Sequence, residues 1–261
     1  MNESTMRYKT VWIASPPRTG SMWIFNVTRE LLRAAGRTVL PTEVPKRDQE
    51  MADLAQHQAW QDSDPNRIWV LKVHAQLEEK LPHSRIITTM RDPRDLLISF
   101  RRFMGCDFET ALKQALLAVE QHDAYAKYGE DVLLKLHYRD VTETPDDTLR
   151  HICSFLGISV AGGELATIVD RFSRERVAQH TEAITQNLKS RLQKGEEVLE
   201  QEVVMVAENK LRAYDRNTGF QSGHVSSEAA ASWRMLLSDE EKLQVHQKLG
   251  EWLVNNGYGL E

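Results

Sequence analysis

The stretch Trp12-Ile-Ala-Ser-Pro-Pro-Arg-Thr-Gly-Ser-Met-Trp23 decides the fold of this chain. A β-favouring run over residues 10–15 stops at Pro16-Pro17, and apolar residues then recur at helical spacing over residues 21–35. The order is therefore a buried strand, a tight loop and a helix start. Because the N-terminus of a helix offers free N–H groups and a favourable dipole, this order predicts a loop that holds phosphate.

The loop departs from the nucleotide-binding pattern G-x-x-x-x-G-K-[ST] in an informative way. With Gly20 as the second glycine, Ser15 takes the first glycine position, Ser21 the lysine position and Met22 the hydroxyl position. A methionine offers no oxygen to Mg²⁺, which NTP hydrolysis and kinase chemistry require. The sequence therefore predicts that backbone N–H groups and Arg18 hold phosphate here without a metal.

Four short runs rich in apolar and β-branched residues alternate with helical patterns. Continuous apolar runs are typical of a parallel sheet buried on both faces. After the third run, Asp92 and Pro93 have the residue types of an N-cap and a first helical position. We predict one α/β domain over residues 1–261, with a central parallel sheet of about four to five strands flanked by helices. The predicted strands are Thr10–Ser15, Arg67–His74, Ser84–Arg91 and Asp131–Tyr138.

The C-terminal half has mainly helical patterns. We predict helices near 147–156 and 163–172, a long charged helical stretch over 174–212, a loop over 215–227 and a closing helix over 238–255. The segment 180–222 is a candidate cover for the substrate. Segments 41–66 and 103–128 are further candidates for the wall of a substrate pocket.

Composition excludes several classes of function. The 33 Lys and Arg residues against 38 Asp and Glu give a net charge of −5, which argues against a general binder of nucleic acid or anionic membranes. Cys106 and Cys153 have no metal-ligand spacing. Because no segment has the ~20 apolar residues of a membrane span, we expect a soluble cytoplasmic protein. Self-association is left open.

Chemically informative residues also fall where the later strands end. Lys72 and His74 close the second predicted strand, and Arg91 closes the third, with Ser99 about two turns into the following helix. In an open parallel sheet, ligands bind at the carboxyl ends of the strands. The phosphate-type loop, Lys72, His74 and Arg91 should therefore meet at one edge of the sheet.

This order of motifs resembles the sulfotransferases that use 3′-phosphoadenosine 5′-phosphosulfate (PAPS), which have a fold like that of the P-loop NTPases. The matching motifs are Pro17-Arg-Thr-Gly-Ser-Met-Trp23, Lys72-Val-His74 and Arg91-Asp-Pro-Arg-Asp-Leu-Leu-Ile-Ser99. The resemblance implies a metal-free transfer of a sulfuryl group, with release of adenosine 3′,5′-bisphosphate (PAP).

The resemblance also implies roles for individual residues. His74 would be the general base, Lys72 would lie near the transferring group, and Arg18 would stabilise charge on the 5′-phosphate. Other positions would bind the donor: Thr19, Gly20, Ser21, Met22 and Trp23 of the loop, Arg91 and Ser99 at the 3′-phosphate, and Tyr138 at the adenine. Ser226 and Ser227, with His224, are candidates for closing the 3′-phosphate site.

The leading hypothesis is a sulfotransferase acting on a hydroxyl or amine of a small-molecule acceptor. Two alternatives stay open on the sequence. One is a nucleotide kinase or NTPase with a degenerate loop, and the other is a catalytically inert protein that binds a nucleotide or a partner.

Overall fold

The computed structural model describes residues 8–77, 83–207, 210–225 and 230–260. Its central sheet has five strands, and all neighbours are parallel. The strands are β1 Thr10–Ala14, β2 Thr38–Leu40, β3 Arg67–Val73, β4 Ser84–Met90 and β5 Leu133–His137. Their spatial order is β2-β3-β1-β4-β5, so the predicted parallel, helix-flanked sheet is confirmed.

Helices cover both faces of this sheet, and most of them begin and end close to the predicted positions. Asp92 caps the third helix as expected, because its side chain accepts a hydrogen bond from the backbone of Arg94 at 2.9 Å. The helices are α1 Ser21–Ala34, α2 Asp48–Leu54, α3 Pro93–Met104, α4 Phe108–Ala124, α5 Tyr138–Glu143, α6 Pro145–Leu156, α7 Gly162–Arg171, α8 Arg174–Gln193, α9 Trp233–Leu236 and α10 Asp239–Asn255.

Two hydrophobic clusters hold the layers together. The larger one buries β1 and the inner face of α1 with residues of α6 and α7, and Ile13, Ile24 and Leu32 are inaccessible to solvent. The second joins α3 and α4 to α10 around Trp233. Because β1 is buried along its whole length, the loop that follows it is anchored at the centre of the sheet.

The prediction of one long helical stretch over 174–212 is wrong in its second half. Helix α8 ends at Gln193, and Gly195 has a φ of 69°, a conformation that terminates helices. The chain then forms an antiparallel hairpin from β6 Val203–Ala207 and β7 Lys210–Ala213. The β-branched valines of β6 favour a strand over a helix.

The edge strand β2 was not predicted, since three residues are too few to show a period. In the parts of the chain that the structure describes, each helix is too short or too polar to cross a lipid bilayer.

Candidate active site

Four residues at the site each directly follow a strand of the central sheet. Ser15 follows β1, His74 follows β3, Arg91 follows β4 and Tyr138 follows β5. These strands are parallel neighbours, so the four residues lie at the same edge of the sheet. A cavity of about 790 Å³ opens at this edge, and its wall includes His74, Arg91 and Tyr138. A volume of this size suits a bound small molecule.

The loop between β1 and α1 has the backbone geometry of an anion site. Gly20 precedes α1 with a φ of 87°, and a Cβ at this position would lie 3.2 Å from the ring of Tyr138. The backbone of Arg18 also has a positive φ, 68°, which residues other than glycine rarely adopt. Within the described chain, no side chain caps the start of α1, so its first N–H groups are available to an anion.

The hydroxyl of Thr19 makes its hydrogen bonds inside the protein. Thr19 is completely buried and donates to the carbonyl of Pro16 at 2.7 Å. A hydroxyl has one proton to donate, so Thr89 must be the donor in the 2.9 Å contact between the two threonines. Thr19 therefore holds the loop on β4.

A cluster of cations surrounds the loop. The Nε of Arg18 donates to Ser99 at 3.0 Å, and one of its terminal nitrogens donates to the carbonyl of His224 at 3.1 Å. Burial, together with the nearby charge of Arg91, lowers the pKa of Arg18 to about 10, so Arg18 stays charged at neutral pH. The guanidinium of Arg91 lies 4.4 Å above the ring of Tyr138. Its buried Nε has no partner in the described chain. A bound anion would accept a hydrogen bond from this Nε and would reduce the electrostatic repulsion between Arg18 and Arg91.

Phe103, near the end of α3, connects this cluster to the unpredicted hairpin. The guanidinium of Arg18 lies 4.3 Å from the centroid of its ring, and that of Arg212 in β7 lies 3.7 Å from it. Arg212 also donates to the carbonyl of Phe103. No local signal in the sequence indicated this arrangement, because β7, α3 and the loop are far apart in the chain.

His74 has a defined tautomer. Its Nδ1 lies 3.0 Å from the carbonyl oxygen of Ser15, which can only accept, so Nδ1 carries the proton. Its Nε2 lies 3.1 Å from the Nζ of Lys72 and accepts from it. Burial, followed by the charge of Lys72, lowers the pKa of His74. The imidazole is therefore neutral at neutral pH and presents a lone pair on Nε2.

Asp48 supports His74, and the sequence reasoning missed it. One oxygen of its carboxylate accepts hydrogen bonds from the backbone N–H groups of His74, at 2.5 Å, and Ala75, at 3.3 Å. The negative charge favours protonated Lys72, although burial lowers the pKa of that lysine. Asp48 opens α2, where an acidic residue is common for structural reasons, so its role could not be read from the sequence.

Met22 and Trp23 connect the loop to other parts of the cavity wall. The Nε1 of Trp23 donates to the carbonyl of Phe172 at 2.9 Å, which joins α1 to the turn between α7 and α8. Met22 packs against Gly219, where an added Cβ would lie 2.8 Å from the methionine Cε. Met22, Trp23, Ser21 and Ser99 all line the cavity.

The predicted residues are thus largely brought together. Arg18, Gly20, Lys72, His74, Arg91 and Tyr138 share the cavity with those just named, and His224 lies in its wall. Ser226 and Ser227 fall outside the described residues. Of the proposed cover 180–222, the described residues that line the cavity lie within 214–221, and the turn around Phe172 was not predicted to line it.

Many apolar side chains also line the cavity, among them Val44, Met51, Phe100, Phe103, Met104, Phe220 and Val225. His224 is a polar member of the wall, and its ring lies beside those of Phe103 and Phe220.

Comparisons with known proteins agree with this architecture. A sequence model of the Sulfotransferase family matches residues 43–162. Mouse sulfotransferase SULT7A1, solved with PAP, is 18% identical, with a TM-score of 0.60 over 96% of this chain and 85% of the mouse chain. Retinol dehydratase, solved with androsterone and the inactive cofactor PAP, is 15% identical, with a TM-score of 0.57 over 94% of this chain and 80% of its own. No curated protein matches the sequence.

Proposed function

We propose that this chain is a sulfotransferase that transfers a sulfuryl group from PAPS to a hydroxyl or amine of a small-molecule acceptor. The observation that carries the proposal is the neutral His74, with its Nε2 lone pair held beside the cations of the phosphate-type loop. In this arrangement the nucleophile can give its proton to His74, and the anionic leaving group can bind to the cations.

The residues present fit the donor. The N–H groups at the start of α1 and the guanidinium of Arg18 suit the 5′-phosphate, since both are donors at a helix N-terminus. Arg91, with an unpartnered buried Nε in the described chain, and Ser99 suit the 3′-phosphate. Tyr138 and Trp23 offer aromatic surface to the adenine. The family's use of PAPS and the PAP bound to both solved neighbours support this assignment.

The donor supplies an activated sulfuryl group, and this chain supplies positioning and proton transfer. The acceptor atom forms a bond to sulfur while the bond from sulfur to the bridging oxygen of the 5′-phosphate breaks. His74 takes the acceptor's proton on Nε2, and Arg18 stabilises the charge that develops on the released phosphate. The products are PAP and a sulfate ester, or a sulfamate if the acceptor is an amine.

Lys72 has two roles in this scheme. Without a bound donor, Lys72 donates to the Nε2 of His74, so Lys72 and the acceptor compete for the lone pair on that nitrogen. Sulfuryl oxygens offer Lys72 a charged partner, which would free His74 for the acceptor.

The apolar side chains of the cavity wall support an acceptor with a hydrophobic body. Its phenylalanine and methionine side chains offer dispersion contacts and few hydrogen bonds. The solved retinol dehydratase complex contains androsterone, which is also a hydrophobic small molecule.

Isothermal titration with PAP and with ADP tests the donor assignment. We expect micromolar binding of PAP and much weaker binding of ADP, because ADP lacks the 3′-phosphate. Transfer from radiolabelled PAPS to a panel of apolar alcohols, phenols and amines then tests the reaction. Absence of nucleotide binding would reject the proposal, and Mg²⁺-dependent turnover of ATP would favour a kinase or NTPase instead.

A further inference from the structure

His224 lies in the cavity wall and has no part in the transfer described above. It follows the bridge between Tyr214 and Gln221, and its carbonyl accepts from Arg18. Its ring stacks on Phe103, with centroids 5.9 Å apart and planes 7° apart, and meets Phe220 edge-on at 5.9 Å. Two aromatic neighbours therefore fix the orientation of the imidazole.

The tautomer of His224 follows from its backbone partner. The N–H of Gln221 donates to Nδ1 at 3.0 Å, so Nδ1 carries a lone pair. Burial, followed by the charges of Arg18, Lys72 and His74, lowers the pKa of His224 well below its ordinary value. The imidazole is neutral, and its one proton is on Nε2.

The two histidines of the cavity are therefore complementary. His74 has its lone pair on Nε2, because its Nδ1–H is used by Ser15, and the acceptor takes the place of Lys72 at this lone pair. His224 presents an Nε2–H, because its Nδ1 is used by Gln221. A hydroxyl group matches this pair, since its proton can go to His74 while its oxygen accepts from His224. The second lone pair of that oxygen stays free to attack sulfur.

An amine matches the pair less well. A neutral amine has one lone pair, and that lone pair must form the new bond to sulfur. It cannot accept from His224 at the same time. Building on the proposed function, we infer that His224 is an acceptor-binding residue that selects oxygen acceptors, alcohols and phenols, over amines.

Two variants separate the hydrogen bonds of His224. In His224→Asn, the amide oxygen can still accept from the N–H of Gln221, but the donor at the Nε2 position is lost. In His224→Gln, the amide nitrogen reaches that position and can restore the donor. His57→Asn is the matched control, because His57 is exposed and lies outside the cavity wall.

The acceptors for the test are 2-naphthol and 2-naphthylamine, which share an aromatic body and differ in the reacting group. We expect His224→Asn to lower kcat/KM for 2-naphthol by about 10- to 100-fold, the usual effect of leaving a buried hydrogen-bonding group unpaired. For 2-naphthylamine the change should be less than about threefold. His224→Gln should recover part of the loss, and the Kd of PAP should stay within about twofold in each variant.

Titration of 2-naphthol into the PAP-bound protein gives a readout that does not need turnover. Weaker binding by His224→Asn than by wild type supports the inference, and equal binding overturns it. Equal loss of kcat/KM for both acceptors also overturns it, because the effect would then be on the fold. A wild-type protein that does not bind PAP rejects the proposed function itself, and with it this inference.

Discussion

His74 is the residue on which the proposed chemistry depends most directly. Replacing it by alanine removes the proton acceptor and leaves the phosphate-type loop in place. We expect kcat to fall by about 10²- to 10⁴-fold, the usual contribution of a general base. The Kd of PAP should change little, since the His74 ring bonds to Ser15 and Lys72 and not to the loop's cations. Unchanged transfer by His74→Ala would reject the assignment of the base.

The pH dependence of kcat/KM reports the same residue. A base acts only when it is unprotonated, and the pKa of His74 is lowered from the ordinary 6.5 by burial and by Lys72. The acidic limb of the profile should therefore lie below pH 6.5, and activity should be level from pH 8 to pH 6.5. Initial rates measured across pH 4.5–8.5 at low acceptor concentration show whether activity stays level down to pH 6.5. A limb at or above pH 6.5 would contradict a lowered pKa for His74.

Arg91 tests the 3′-phosphate site. Arg91→Met removes a buried guanidinium, and we expect PAP to bind about 10- to 100-fold more weakly, as for loss of a charge-assisted hydrogen bond. ADP binding should change less than about threefold, because ADP has no 3′-phosphate. Arg139→Met is a matched control, since Arg139 has a side chain that is 73% exposed. An equal loss of affinity for PAP and ADP would mean that Arg91 does not bind the 3′-phosphate.

At the scale of elements, the contact between Met22 and Gly219 explains an unusual residue of the loop. Met22 stands where a metal-binding loop has a hydroxyl, and its side chain packs on the loop that follows β7. The side chain of Met22 thus connects α1 to the part of the cavity wall around Gly219. The hydroxyl position of the nucleotide-binding pattern has become a packing position in this chain.

Gly219→Ala tests this contact. Gly219 has a φ of 72°, and a Cβ would lie 2.8 Å from the Cε of Met22 and 2.9 Å from a methyl of Val44. We expect the free energy of unfolding to fall by about 2–4 kcal/mol, from backbone strain together with overpacking. Urea unfolding measures this change.

The control for that variant is Gly163→Ala, in α7. A Cβ there meets nothing within 4 Å among the described atoms, so we expect no loss and a gain of up to about 1 kcal/mol. Combining Gly219→Ala with Met22→Ala should recover part of the stability, because it removes one of the two clashes. No recovery would mean that the backbone strain and the contact with Val44 cause the loss, without a part for Met22.

At the scale of the whole molecule, the partly buried histidines His74 and His224 link stability to pH. His74 and His224 have pKa values below that of an unfolded chain. Below about pH 6.5 the unfolded chain therefore binds protons that the native protein does not, and the free energy of unfolding falls. Above pH 6.5 both states carry neutral rings and the contribution is constant.

Urea unfolding at pH 7.5 and at pH 5.5 checks this linkage. His74 by itself should lower the free energy of unfolding by about 1.4 kcal/mol at pH 5.5, one unit below the ordinary pKa of histidine. His224 should lower the free energy of unfolding at pH 5.5 further. The double variant His74→Gln with His224→Asn should show a smaller difference between the two pH values. An equal difference would show that other groups cause the loss.

Local patterns determined the sheet and the chemistry of its edge. Apolar runs bounded by Pro, Gly and Asp specified β1, β3, β4 and β5, because periodicity and caps act over a few residues. Parallel strands end at one edge, so the chain order alone indicated that Arg18, His74 and Arg91 would meet. The family resemblance rested on those same residues and not on composition.

Tertiary structure decided the remaining features, because they depend on contacts between distant segments. Asp48 beside His74, Arg212 on Phe103, and Met22 on Gly219 join parts of the chain with no shared local pattern. The hairpin of β6 and β7 was hidden in a charged stretch that had a helical pattern at its start. The opposite tautomers of His74 and His224 likewise follow from a backbone partner of each ring, a carbonyl for one and an N–H for the other. Those partners are set by folding, and no sequence pattern specifies where a ring nitrogen will find them.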